Sequence, residues 1–84
     1  MIYLIAPRIK LAEMAAHFLQ IPKGEWRFIV EERDIWGRRA EPGQYFVWVK
    51  EPRYEMTEQD RERADYFSTY LRERHIQTLE YTLP

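Results

Sequence analysis

The chain has 84 residues, of which 45% are apolar and 32% charged, and its formal net charge is −1. This length excludes a second domain with its own core, and the small net charge excludes attraction of the whole molecule to nucleic acid or acidic lipid. The lack of cysteine excludes disulfides and thiolate metal sites, and no apolar run reaches the roughly 20 residues that cross a bilayer. We expect a single cytoplasmic domain over residues 1–84.

The first predicted elements are a buried strand and an amphipathic helix. Residues 2–6 form an unbroken apolar run that is too short for a helix, which is typical of a strand covered on both faces. From residue 8 to residue 20, polar side chains recur at steps of three and four, which predicts a helix with a wide apolar face. Pro22 and Gly24 then favour a turn that ends this helix.

The middle of the chain predicts two more strands with a long loop between them. In an extended chain the side chains of residues 25–31 point alternately to two sides, with Trp26, Phe28 and Val30 on one side, which indicates a mostly buried strand. Residues 32–43 have no sustained period and contain glycine and proline, so we predict a loop with one helical turn near residues 34–36. Residues 45–49 are apolar on both faces and predict a second central strand.

The last predicted elements are a capped helix and a half-exposed strand. Thr57 and Asp60 resemble a capping box, and apolar residues at helical spacing follow, which predicts a helix over residues 58–74. His75 is placed where a helix ends in a left-handed conformation. Residues 77–83 alternate between apolar and polar side chains, which predicts an edge strand or a strand with one wet face.

This order of elements predicts an α/β fold with a small, mostly parallel four-stranded sheet. Right-handed crossovers favour the strand order 2-1-3-4, which places the two helices on opposite faces of the sheet. The loop over residues 32–43 then crosses the sheet on the side of the second helix. A ferredoxin-like meander with antiparallel pairs is the alternative.

Several short strings carry a resemblance to known proteins. They are an initial Tyr-Leu-Ile strand, an alanine-rich helix, Gly24-Glu25-Trp26-Arg27, Trp36-Gly37-Arg38 and Leu71-Arg72-Glu73-Arg74. As a pattern of elements over most of the chain, they resemble small Rossmann-like proteins of unknown function encoded by actinobacterial phages. The resemblance implies a phage accessory protein, and it implies no catalytic residue.

The carboxyl ends of strands one and three are the predicted edge for a ligand, because ligands of open parallel sheets bind where neighbouring connections leave in opposite directions. The segments that leave this edge bring four cations toward one rim: Arg8, Lys10, Lys50 and Arg53. This rim is a candidate site for an anion or nucleic acid. The first turn lacks glycine, and Pro7 removes one backbone amide, which argues against a phosphate loop. Alternatively, the four cations are solvated side chains with Glu51 and Glu55 nearby, and they bind no ligand.

A second candidate for nucleic-acid binding is the long loop. There Trp36 could stack on a base while Arg38 and Arg39 reach phosphates. Alternatively, Trp36 covers the core and nearby acidic residues neutralise the arginines.

Tyr66 and Tyr70 lie one turn apart on the second predicted helix and widen its apolar face. They form a candidate surface for a partner protein or a second copy, or they close the edge of the core with their hydroxyls in water.

No residue pattern indicates catalysis. His17 and His75 fall on different helices, so no His-x-x-x-His metal pair exists, and no nucleophile stands beside a histidine in sequence. We predict no catalytic residue, metal or cofactor. The leading hypothesis is a non-enzymatic interaction module, a phage or bacterial accessory protein that contacts a protein partner or itself. The alternative is a protein that binds nucleic acid or a phosphorylated ligand at the cationic rim.

Overall fold

Strands and helices follow each other along the chain in the predicted order. The structure, a computed structural model, describes residues 1–35 and 44–84. Its elements are β1 (Ile2–Ile5), α1 (Ile9–Phe18), β2 (Trp26–Ile29), a 3₁₀ turn (Glu32–Ile35), β3 (Tyr45–Lys50), α2 (Glu58–Glu73) and β4 (Thr78–Thr82). Each helix and strand lies inside its predicted range except β3, which continues to Lys50.

The four strands form one parallel sheet in the order β2-β1-β3-β4. This confirms the predicted fold class and strand order, and the antiparallel meander is wrong. The register places Leu4 of β1 between Phe28 of β2 and Val47 of β3, and Val47 beside Leu79 of β4. Parallel strands need crossover connections, which α1 and α2 supply after β1 and β3.

Two apolar clusters lie on opposite faces of the sheet, because successive side chains of a strand point to opposite sides. Leu4 points toward α1, whereas Tyr3 and Ile5 point toward α2. The cluster on the α1 face contains Leu4, Ala6, Leu11, Ala12, Ala15, Ala16, Val47, Val49 and Leu83. The cluster on the α2 face contains Tyr3, Ile5, Ile29, Ile35, Phe46, Phe67 and Leu71. The helices therefore cover opposite faces, as predicted.

The connection after β2 begins as a 3₁₀ turn, two residues earlier than the predicted turn. The Asp34 carboxylate accepts hydrogen bonds from the backbone amides of Val30 (2.8 Å) and Glu31 (3.1 Å), which folds the chain back directly after β2. Ile35 packs in the cluster on the α2 face, the side that the sequence predicts for this connection. The rest of the predicted loop, residues 36–43, lies outside the described residues.

Both predicted signals at the ends of α2 are confirmed. The Asp60 amide donates to the Thr57 hydroxyl (3.0 Å), and the Thr57 amide donates to the Asp60 carboxylate (3.1 Å), which completes a capping box. After the helix, His75 has a φ of 57°, the left-handed conformation. Arg8, which precedes α1, makes no side-chain capping bond, so α1 depends on the burial of its alanine-rich face.

We expect Phe67→Ala to lower the free energy of unfolding by about 3–5 kcal/mol, because Phe67 is fully buried and its ring meets the edge of Trp48 at a centroid distance of 6.0 Å. Urea unfolding measures this change. The control is Thr69→Ala on the exposed side of α2, for which we expect a change within about 0.5 kcal/mol. Equal losses in the two variants would show that the cluster on the α2 face is not a core.

Candidate functional site

A cleft of about 380 Å³ opens at the carboxyl ends of β1 and β3, beside α2. Its apolar lining includes Ile5 and Ala6 from the end of β1, Trp48 and Val49 from β3, and Ala64 from α2. This is the edge at which open parallel sheets bind ligands, and it is the edge that the sequence predicts.

The charged residues around the cleft differ from the predicted rim. Lys50 lines the cleft, but Arg8, Lys10 and Arg53 do not. Two cations that the sequence analysis did not select, Arg61 and Arg63 of α2, line it instead. The capping box could have indicated them, because it marks where α2 begins, at this edge of the sheet. Residues in the first turns of α2 therefore lie beside the ends of the strands.

Arg8 is bound to a carboxylate of its own chain. Its guanidinium donates to the Asp60 carboxylate at 3.0 Å and to the Pro7 carbonyl oxygen at 2.7 Å. The guanidinium also lies 5.9 Å from the centre of the Tyr54 ring. Arg8 therefore joins the start of α1 to the start of α2, and an anionic ligand would compete with Asp60 for it.

Arg53 is bound in the same manner, by the carboxylate of Glu51. Nε and one terminal nitrogen of the guanidinium donate to the two carboxylate oxygens at 3.0 and 3.2 Å. These hydrogen bonds raise the pKa of Arg53 and lower the pKa of Glu51. Arg53 also donates to the backbone oxygen of Pro84 at 2.6 Å, so it joins the segment after β3 to the segment after β4.

The Asp60 carboxylate accepts hydrogen bonds from three different residues, although Asp60 is only 4% exposed. Besides Arg8 and the Thr57 amide, it accepts a hydrogen bond from the Tyr54 hydroxyl at 3.2 Å. Removal from water raises the pKa of Asp60, but the hydrogen bonds from Thr57, Arg8 and Tyr54 outweigh this effect and hold it below its usual value. Burial, together with the bond to Asp60, raises the pKa of Tyr54.

Of the remaining predicted site residues, those that the structure describes, Lys10, Tyr66 and Tyr70, do not line the cleft. Lys10 is exposed on α1, and Trp36, Arg38 and Arg39 lie outside the described residues. Tyr66 is 64% exposed, whereas Tyr70 is half-buried between the Phe67 ring and the Arg74 guanidinium, which lies 3.6 Å from its ring centre. Tyr70 thus closes the edge of the core, and Tyr66 is the accessible part of that surface.

In the two described stretches, no group of three or more His, Cys, Asp or Glu side chains is placed to hold a metal ion. Neither α1 nor α2 is long and apolar enough to span a bilayer. No family model, curated protein or solved structure matches this chain.

We expect the stability of the protein to depend on the ionised form of Asp60. Because the folded state lowers the pKa of Asp60, its contribution is complete above the ordinary carboxyl pKa of about 4 and is lost as the pH falls below that value. The free energy of unfolding of Asp60→Asn should therefore change less between about pH 5 and pH 2 than that of the wild type.

Urea unfolding at several pH values measures the slope of the free energy of unfolding against pH for the variant and for the wild type. Asp65→Asn, an exposed position of α2 that joins no ion pair of the described residues, is the control and should keep the wild-type slope. If the free energy of unfolding of Asp60→Asn changed with pH as much as that of the wild type, Asp60 would not be a source of this pH dependence.

Proposed function

We propose that this protein is a non-enzymatic interaction module that binds a second copy of itself along the outer edge of β4. The observation that carries the proposal is the exposure of Leu79. This side chain is 58% exposed although it belongs to β4. Where such a side chain forms part of a larger apolar patch, the patch is typical of a surface that a partner covers.

The exposure of Leu79 follows from the short length of α1. Leu79 pairs with Val47 and so points to the face of the sheet that α1 covers. However, α1 has ten residues and packs on β1, β2 and β3. Tyr45, on the same face two residues before Val47, is 54% exposed. An uncovered apolar surface thus lies beside α1, formed by Leu79 and Tyr45.

The backbone of β4 supports the same proposal. β4 is an outer strand of the sheet, and no strand in the described part of the chain pairs with its outer edge. Free amide and carbonyl groups along an edge are a template for another strand. A second copy supplies such a strand and also covers Leu79 with an apolar side chain.

The sequence of β4 favours one register for antiparallel pairing about a two-fold axis. With Glu80 at the axis, two like charges would face each other, which destabilises a sheet. With Leu79 at the axis, the two leucines face each other, and Thr78 faces Glu80 of the other copy. The net charge of −1 opposes such an association only weakly. A phage accessory protein, as the resemblance implies, would act through this contact.

We expect the wild type to show a concentration-dependent equilibrium between monomer and dimer by sedimentation velocity, and we expect Leu79→Lys to remain monomeric. A lysine at the centre of the paired strands would place two positive charges opposite each other. The control is Tyr66→Lys on α2, which should dimerise like the wild type because α2 covers the face of the sheet opposite to the one that Leu79 points to.

The opposite result, loss of the dimer in Tyr66→Lys alone, would move the interface to α2. A wild type that stays monomeric over a wide concentration range would contradict self-association.

Binding of nucleic acid or a phosphorylated ligand is the second hypothesis, and the ion pairs of Arg8 and Arg53 weigh against it. We expect no salt-sensitive mobility shift with a single-stranded oligonucleotide, because two of the four rim cations are already bound to carboxylates. Lys10 and Lys50 join no ion pair of the described residues. A shift that weakens with salt and disappears in the Lys10→Gln, Lys50→Gln double variant would support this hypothesis instead.

A further inference from the structure

We propose that the cleft between α2 and the carboxyl ends of β1 and β3 is a binding site for a small aromatic molecule with one negative charge. This site lies on the α2 face of the sheet, whereas the apolar surface of Leu79 and Tyr45 lies on the α1 face; Glu80 of β4 borders the cleft and also belongs to the strand edge proposed above. The volume of the cleft, its apolar lining and the charges around it all fit such a ligand.

The volume and lining fit a compact ring system. About 380 Å³ lies in the range of small-molecule sites, which are roughly 300–1,000 Å³ and mostly apolar. Ile5 and Trp48 are register partners on neighbouring strands, and both belong to the α2 face of the sheet. Trp48 is partly exposed, so its indole offers a surface on which a second ring can pack.

The space exists because position 64 of α2 carries a small side chain. Along the side of α2 that faces the sheet, Ala64 lies between Asp60 and Phe67 at helical spacing. Phe67 fills the space beneath α2, and Asp60 is bound to Arg8, but the methyl group of Ala64 leaves the cleft open. A branched side chain at position 64 would occupy the volume offered to a ligand.

The charges around the cleft favour a single negative charge on the ligand. Lys50, Arg61 and Arg63 line it and form no ion pair with any described residue. Asp65 and Glu80, which join no ion pair of the described residues, also line it; among the described residues this leaves an excess of one positive charge, because Asp60 is neutralised by Arg8.

The position of Lys50 links the charge to the ring. Its ammonium lies 6.0 Å from the centre of the Trp48 ring, so a ligand packed on the indole has its anionic group within reach of Lys50.

An NMR titration of the 84-residue chain with naphthoate tests this inference. We expect saturable shifts of amide signals from the residues that line the cleft, with a Kd of about 1 mM or below. Naphthylmethanol, which has the same rings without the charge, should bind about tenfold more weakly, since it lacks charge-assisted hydrogen bonds.

Two variants separate the cleft from the rest of the surface. Ala64→Leu should weaken naphthoate binding at least about tenfold by filling the cleft, whereas Thr69→Leu, on the exposed side of the same helix, should bind like the wild type. Lys50→Gln changes an exposed side chain and does not touch the core, so it tests the site even if Ala64→Leu fails to fold. It should weaken naphthoate several-fold and leave naphthylmethanol unchanged.

Three results would overturn the inference: wild-type affinity in a folded Ala64→Leu variant, equal binding of the two probes, or amide shifts spread over the surface outside the cleft.

Discussion

The buried carboxylate of Asp60 holds the carboxyl edge of the sheet together. It receives hydrogen bonds from Arg8 at the start of α1, from Tyr54 in the connection after β3 and from Thr57 at the start of α2. Because both crossover helices begin at this edge, one side chain sets the position of one helix start relative to the other. A buried charge is tolerated only where it is paired and hydrogen-bonded, and Asp60 meets both conditions.

The same ion pairs decide which cations at this edge are available for a ligand. Arg8 is bound to Asp60 and Arg53 to Glu51, so their charges serve the fold. Lys50, Arg61 and Arg63 have no such partner in the described residues, and they surround an apolar cleft. The electrostatic character of the edge thus follows from internal pairing, and the number of cations in the sequence does not reveal it.

Both proposed surfaces lie where the helices cover the sheet incompletely. A parallel sheet needs both faces covered, and residues 1–35 and 44–84 supply two α-helices for this. The short α1 leaves Leu79 and Tyr45 exposed beside it, and the small side chain of Ala64 leaves space beneath α2. Uneven coverage therefore produces one apolar surface at the edge of the sheet and one cleft at the ends of its strands.

Local patterns in the sequence were enough to predict the helices and strands, their order and the topology of the sheet. Helical and strand periodicity reflect burial over a few neighbouring residues, the Thr57–Asp60 capping box is a local contact, and the handedness of crossovers then leaves few strand orders. The pairing of the cations could not be predicted in this way, since Arg8 and Asp60 are 52 positions apart and Arg53 reaches Pro84 across 31. The partner of each cation depends on how segments that are distant in sequence approach each other in the fold. The periodicity of apolar residues reflects only near neighbours and therefore cannot predict these partners.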